Sequence, residues 1–352
     1  MPIFDQGYQH WSGTLSGRSW RWLPITRHGI RVALTNRWLR IALVISWIPA
    51  LVLATALCFW GLIEQQSELI QSFLPLLGFI DREMLLDPRA YRQEAWALCY
   101  GYFMLTELRL AMLLILIVGP NLISQDLRYN ALPLYLSRPL RRIDYFIGKW
   151  GVVVAFLGAV TIVPSIVAYV LGVLFSLDFG IVKETLPLLL ASIGYGLIIA
   201  ASAGTLILAL SSLSRSSRYV AMFWLAVWIG SGVVATVLQG IEHQQRRHAA
   251  IRLDRRDPSA YVEQELTAAR TDWRPLVSYT TNLARVGEEM LGTPAAWDKL
   301  AQLRPSAERD MARLRNVGSQ YPWTWSAGVL LALFGLSAWL LNRSVKSLDR
   351  LK

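Results

Sequence analysis

Glu107 and Arg109 lie inside a stretch that must cross a membrane, because the uninterrupted apolar run from Leu110 alone is too short to do so. A carboxylate and a guanidinium are costly at that depth and should line a wet cavity or pair with another helix. Two residues apart on a helix, they point to different sides and do not pair with each other. Contact with a substrate, or gating of its path, is one reading. A buried structural pair, or snorkelling to the outer interface, is the other. The remaining reactive side chains narrow the chemistry. His10, His28, His243 and His248 all fall outside the apolar runs, which excludes haem ligation within the bilayer and an intramembrane Ser-His dyad. His243 and His248 are five residues apart and miss the i, i+4 face of a zinc helix, so no metal site is expected. Cys58 and Cys99 sit near the outer ends of adjacent spans, either bridged in an oxidising compartment or as two separate apolar fillers. No G-x-x-x-x-G-K-[ST] occurs, and Gly148-Lys149 lacks the upstream glycine and following hydroxyl that cradle phosphates. An ATPase of that type must therefore be another chain.

The elements that carry these residues are apolar helices. Of the 352 residues, 54% are hydrophobic and only 17% charged, too apolar for an ordinary soluble domain. The expected fold is all-α and polytopic, with six spans at about 39–63, 98–120, 147–175, 186–211, 219–239 and 323–342. Residues 1–38 mix Trp11, Trp20, Trp22 and Trp38 with arginines and read as an interfacial cytoplasmic segment. The formal charge of +11 is spread beside the spans rather than along one aromatic-interleaved stripe, so nucleic acid is not an expected partner. Short basic loops belong in the cytoplasm, and counting crossings puts both termini there. Residues 240–320 then fall outside. Asp257-Pro258 and Thr293-Pro294 read as helix starts within that region. The last unit, 321–352, is the sixth span and a basic tail. Small residues recur every four positions at Gly196, Ala200 and Gly204, and at Ala226 and Gly230, where helices can approach closely.

One loop organises the rest. Spans one to five occupy 39–239, and within them 121–147 is a basic loop following Gly119-Pro120, a pair that cannot continue a helix unbroken. A brief amphipathic helix is expected around Leu127, Ala131, Leu134 and Tyr135, with Pro139 opening the next helix. Asp126-Leu127-Arg128, Ala131-Leu132, Ser137-Arg138-Pro139-Leu140, Arg142, Asp144-Tyr145 and Gly148-Lys149 resemble the cytoplasmic loop of type-2 ABC exporter permeases. The resemblance extends through the six-span layout over most of the chain.

That resemblance implies a coupling helix that docks on a separate ABC ATPase subunit, which carries the ATP and magnesium. This chain itself would hold no cofactor and catalyse nothing. The coupling residues it implies here are Asp126, Arg128, Arg138, Pro139, Arg142, Asp144 and Tyr145. It further implies a second permease chain, a copy or a relative, with Ala226 and Gly230 on the dimer seam and Glu107 and Arg109 as candidates for the translocation path. The implied location is the bacterial inner membrane. A different function fits the same features: an anchor or mechanotransmitter whose 240–320 region engages an extracytoplasmic partner.

Overall fold

The computed structural model describes residues 20–65, 82–131, 141–176, 180–252, 272–303 and 321–348, with backbone alone at 82–83, 142, 243, 245–252 and 345–348. Among the described residues there is no strand. Six helical stretches are long and apolar enough to cross a membrane: Arg37–Glu64, Arg92–Arg128, Ile143–Ser176, Gly180–Leu213, Ser217–Glu242 and Trp323–Ser344. Each covers the expected span; the first, fifth and sixth extend past it by a turn or less, the third and fourth start four and six residues earlier, and the second starts earlier and continues into the following loop.

Local sequence explains how the spans divide. The first comprises α2 (Arg37–Ile45) and α3 (Ile48–Glu64). Asn36 caps α2 by accepting from the Trp38 amide at 3.0 Å, and Pro49 withholds the amide that would continue α2 smoothly. The second comprises α5 (Arg92–Val118) and α6 (Asn121–Arg128), separated at Gly119-Pro120. A short α4 (Arg82–Leu86) precedes it. Spans three and four are α7 (Arg142–Ser176) and α8 (Gly180–Leu213). The fifth is α9 (Ser217–Leu225), a π-helical turn at Ala226–Gly230, and α10 (Ser231–Arg252). The sixth is α13 (Trp323–Leu348).

The bundle is built around span four. Its apolar window is 67% buried, against 50% for spans two and three and 17–22% for one, five and six. Small residues permit this. A Cβ on Gly196 would come within 2.9 Å of the Thr161 hydroxyl, and one on Gly204 within 3.1 Å of the Trp150 indole nitrogen. The Gly196, Ala200, Gly204 stripe is thus used within the chain, against α7. The amphipathic α1 (Leu23–Ala33) lies on the same helix, where Thr26 donates to the Gly148 carbonyl at 2.9 Å. Trp20 and Trp38 remain about 60% exposed beside it.

An ion-pair cluster joins span ends. Arg92 forms a two-pronged pair with Glu64 at 2.7 Å and reaches Glu184 at 3.1 Å, while Ser176 donates to Glu64 at 3.0 Å. Arg92 and Glu64 are each 2% exposed at the side chain. The Arg92 guanidinium ties spans one, two and four there, and Ser176 joins span three through the Glu64 carboxylate. Nothing in the local sequence announces that these residues meet.

The region between spans five and six is expected on the outer side as helices. Two of its helices, α11 (Tyr279–Leu291) and α12 (Thr293–Ala301), lie directly against the bundle. Tyr279 shares a hydrogen bond with Ser202 of span four at 2.9 Å, and its amide donates to Ser231 of span five at 3.1 Å. Lys299 pairs with Glu94 of span two at 2.6 Å. The two helices join at Gly292, whose φ of +67° suits glycine. Thr293 and Pro294 do open α12, one position further into the helix than expected, while Asp257-Pro258 lies outside the described residues.

Candidate coupling site and membrane-depth charges

The loop helix α6 is held by span four. The first amides of a helix lack partners within it, and here Ser211, near the end of α8, supplies one. Its Oγ accepts from the amides of Ile123 at 3.1 Å and Ser124 at 2.9 Å, and donates to the Pro120 carbonyl at 3.2 Å. Ser124 adds hydroxyl contacts to Pro120 and, at 3.0 Å, to Ser217 of span five. Gly119 is required at the bend, since a Cβ there would sit 2.2 Å from Ile207 Cγ1. Leu122, Ile123 and Ser124 are buried, while Asn121, Gln125 and Arg128 are exposed. The helix ends at Asn130, a left-handed position with φ +50° that asparagine tolerates.

The other end of the loop is tied to span three. Asp126 Oδ2 accepts from the Tyr145 hydroxyl at 2.6 Å and pairs with Lys149 Nζ at 2.7 Å. Lys149 also lies 5.5 Å from the Tyr145 ring centre. Asp144 Oδ2 accepts from the Arg141 amide at 3.1 Å, where its charge also suits the N-terminal end of the α7 dipole. The structure therefore brings Asp126 and Tyr145 together, with Lys149, inside the chain; Tyr145 is only 3% exposed. Arg128 faces outward, its guanidinium 5.7 Å from the exposed Tyr129 ring. Arg138 and Pro139 lie outside the described residues, and Arg142 is described by its backbone at the start of α7. Ser211 and Lys149 position α6 and stand outside the coupling residues that the resemblance implies.

At membrane depth, Glu107 and Arg109 part company. Glu107 is fully buried, and among the described residues neither carboxylate oxygen has a hydrogen-bond partner. Arg109 is exposed. It belongs to a stripe with Tyr102, Thr106 and Leu113, all exposed and spaced three or four apart on one face of α5. Span five runs alongside: the Trp224 indole donates to the Met112 carbonyl at 3.0 Å. On span five, Ala226 is exposed and Gly230 half-buried within the π-helical turn, next to the exposed Ile229 and Val233. Cys58 and Cys99 are free thiols.

Among groups outside the spans, burial pushes the Glu288 carboxyl above the usual range, with Arg285 at 3.4 Å acting the other way. Burial likewise raises the Tyr279 and Tyr321 phenols.

No curated protein matches the chain. A family model does: residues 23–344 match the one described as ABC-2 family transporter protein. The match runs from α1 to the last turns of span six, and so includes the loop helix, its serine clamp and the helices between spans five and six. A six-span bundle with a clamped loop helix, matched over nearly its whole length, belongs to the ABC-2 transporter permease family and is a membrane permease component of an ABC transporter.

Proposed function

We propose that this permease belongs to an exporter, in which a separate ATPase subunit docks on α6 and a second permease chain completes the path. The observation that carries this reading is the double clamp on α6. Ser211 ties its first turn to span four, and Asp126 ties its last turn to Tyr145 and Lys149 of span three. A push on its exposed face would be passed to spans two, three, four and five rather than absorbed by a loose loop. ATP and magnesium would be held by the ATPase. The chain would lie in a bacterial inner membrane with both termini cytoplasmic and α6 on the cytoplasmic side. The Tyr102, Thr106, Arg109 stripe supports a wet path: a guanidinium facing hydrocarbon is costly, and a water-lined surface shared with a second chain relieves that cost.

The test is purification of the chain from its native membrane with whatever ATPase accompanies it, beside an Arg128→Glu variant. The wild type should bring an ABC ATPase with it, and the variant should retain much less of it while keeping its own thermal stability. Equal recovery from both would remove α6 from the docking surface.

The anchor reading draws on a different observation. Helices α11 and α12 are bonded to spans two, four and five, so span movement would carry them too. Force on an outer partner held by 240–320 is the outcome to expect if that region is captured with a bound protein and no solute is moved.

A further inference from the structure

A cavity of about 100 Å³ lies where α11 and α12 meet α5 and α8. That is several times the roughly 10–15 Å³ that one water needs. Leu105 and Leu291 form apolar walls, Tyr102 and Trp297 stand edge to face with ring centres 6.5 Å apart, and Tyr195, Glu288 and Thr293 bring polar side chains to the lining. Gly287 lets α11 close over the phenol: a Cβ there would come 2.4 Å from Tyr195 Cζ, the carbon that bears the hydroxyl.

Tyr195 is the telling residue. It is 1% exposed, it lines the cavity, and among the described residues its hydroxyl has no hydrogen-bond partner. A sealed hydroxyl without a partner is unfavourable, and buried polar groups are nearly always satisfied. Glu288 lines the same cavity with its side chain 36% exposed, and its Arg285 contact at 3.4 Å is a long one that uses a single oxygen. The cavity thus offers a carboxylate, a hydroxyl oxygen able to accept, aromatic rings and an apolar wall. A carboxylate or phosphate ligand would meet Glu288 as a like charge. An ammonium can donate to both oxygens and lie against the rings.

We propose that this cavity binds a primary ammonium group carried on an apolar chain, with Glu288 and Tyr195 accepting from the nitrogen and the chain lying along Leu105 and Leu291. A free alkylamine and an aminophospholipid headgroup both carry such an ammonium, and the chemistry at the cavity is the same. Binding needs neither ATP nor a partner chain, so its outcome is separate from that of the coupling test above.

The experiment uses the full chain in phosphatidylcholine nanodiscs, titrated with n-octylamine, n-octanol and octanoate, reading the thermal midpoint against ligand concentration. Octylamine should stabilise saturably, octanol about tenfold more weakly, since a charge-assisted hydrogen bond is lost, and octanoate not at all. Glu288→Gln and Tyr195→Phe should each weaken octylamine by about tenfold. Leu105→Trp, which fills the cavity from its apolar wall, should abolish binding and keeps the test open if the tyrosine variant does not fold. Equal midpoints for octylamine and octanol, or variants indistinguishable from wild type, would mean partition into the bilayer and overturn the proposal. Nanodiscs containing phosphatidylethanolamine decide the source: stabilisation that competes with octylamine assigns the site to the lipid headgroup, and its absence beside octylamine binding assigns it to a free amine.

Discussion

At the scale of single residues, the buried guanidinium of Arg92 has the largest mechanical consequence. It holds Glu64 through two bonds of 2.7 Å and reaches Glu184, with both members of the main pair 2% exposed. A pair this deep has a large desolvation cost, so it is weak evidence for net stability, yet breaking one half leaves an uncompensated charge. Arg92→Met should therefore destabilise the chain by about 3–5 kcal/mol. The double variant with Glu64→Gln should recover a substantial part of that loss, because no lone carboxylate remains. Thermal unfolding of the three proteins in one detergent checks both statements; a double variant no better than the single would show that Glu64 is not the group left stranded. Glu107 presents the opposite case, a carboxylate already without a partner among the described residues. Retaining such a group in an apolar seam is unfavourable for the fold, which is why Glu107 keeps its place among the candidates for function even though Arg109, two residues on, faces the other way.

At the scale of elements, the clamp on α6 separates docking from transmission. Ser211→Ala removes the acceptor for two amides of the first turn, a loss comparable to that of a helix N-cap, about 0.5–2 kcal/mol. It leaves Asn121, Gln125 and Arg128 on the outer face untouched. The expected result is an ATPase that still co-purifies but whose hydrolysis no longer responds to the permease, measured as ATPase rate with and without the variant chain. Loss of co-purification instead would mean that the serine shapes the docking face itself. The sequence made α6 legible in part: Gly119-Pro120 marked the bend, and the loop motif marked the neighbourhood. It did not reveal that Asp126 spends its carboxylate on Tyr145 and Lys149, since those residues meet only once span three returns beside α6. The spans were legible for the simplest reason, long apolar runs with few charges. Helix α11 was not. Its buried Tyr279, Leu283, Val286 and Leu291 alternate with Arg285, Glu288 and Glu289, so its composition is that of a surface helix; only contact with Ser202, Tyr195 and Ser231 shows that it is part of the bundle.

At the scale of the whole molecule, the uneven burial of the spans leaves three of them open to the proposed second chain. Spans one, five and six present most of their surface outward, and in a bilayer an apolar outer face is satisfied by lipid as readily as by protein. Apolarity alone therefore does not choose among them. Arg109 does, because a guanidinium exposed at depth is not satisfied by lipid. Its stripe on α5 borders span five through the Trp224 to Met112 bond, so a chain that covers the stripe also meets the exposed face at Ala226, Ile229 and Gly230. Both native thiols can first be removed by Cys58→Ala and Cys99→Ala. In that background Ile229→Cys should form an oxidative cross-link to a second permease chain in native membranes, seen as a band at about twice the monomer mass. Leu190→Cys, 60% exposed on span four and away from the stripe, should stay monomeric under the same oxidant. Cross-linking at Leu190 in place of Ile229 would move the seam to span four and leave Arg109 to be solvated by a cavity within a single chain.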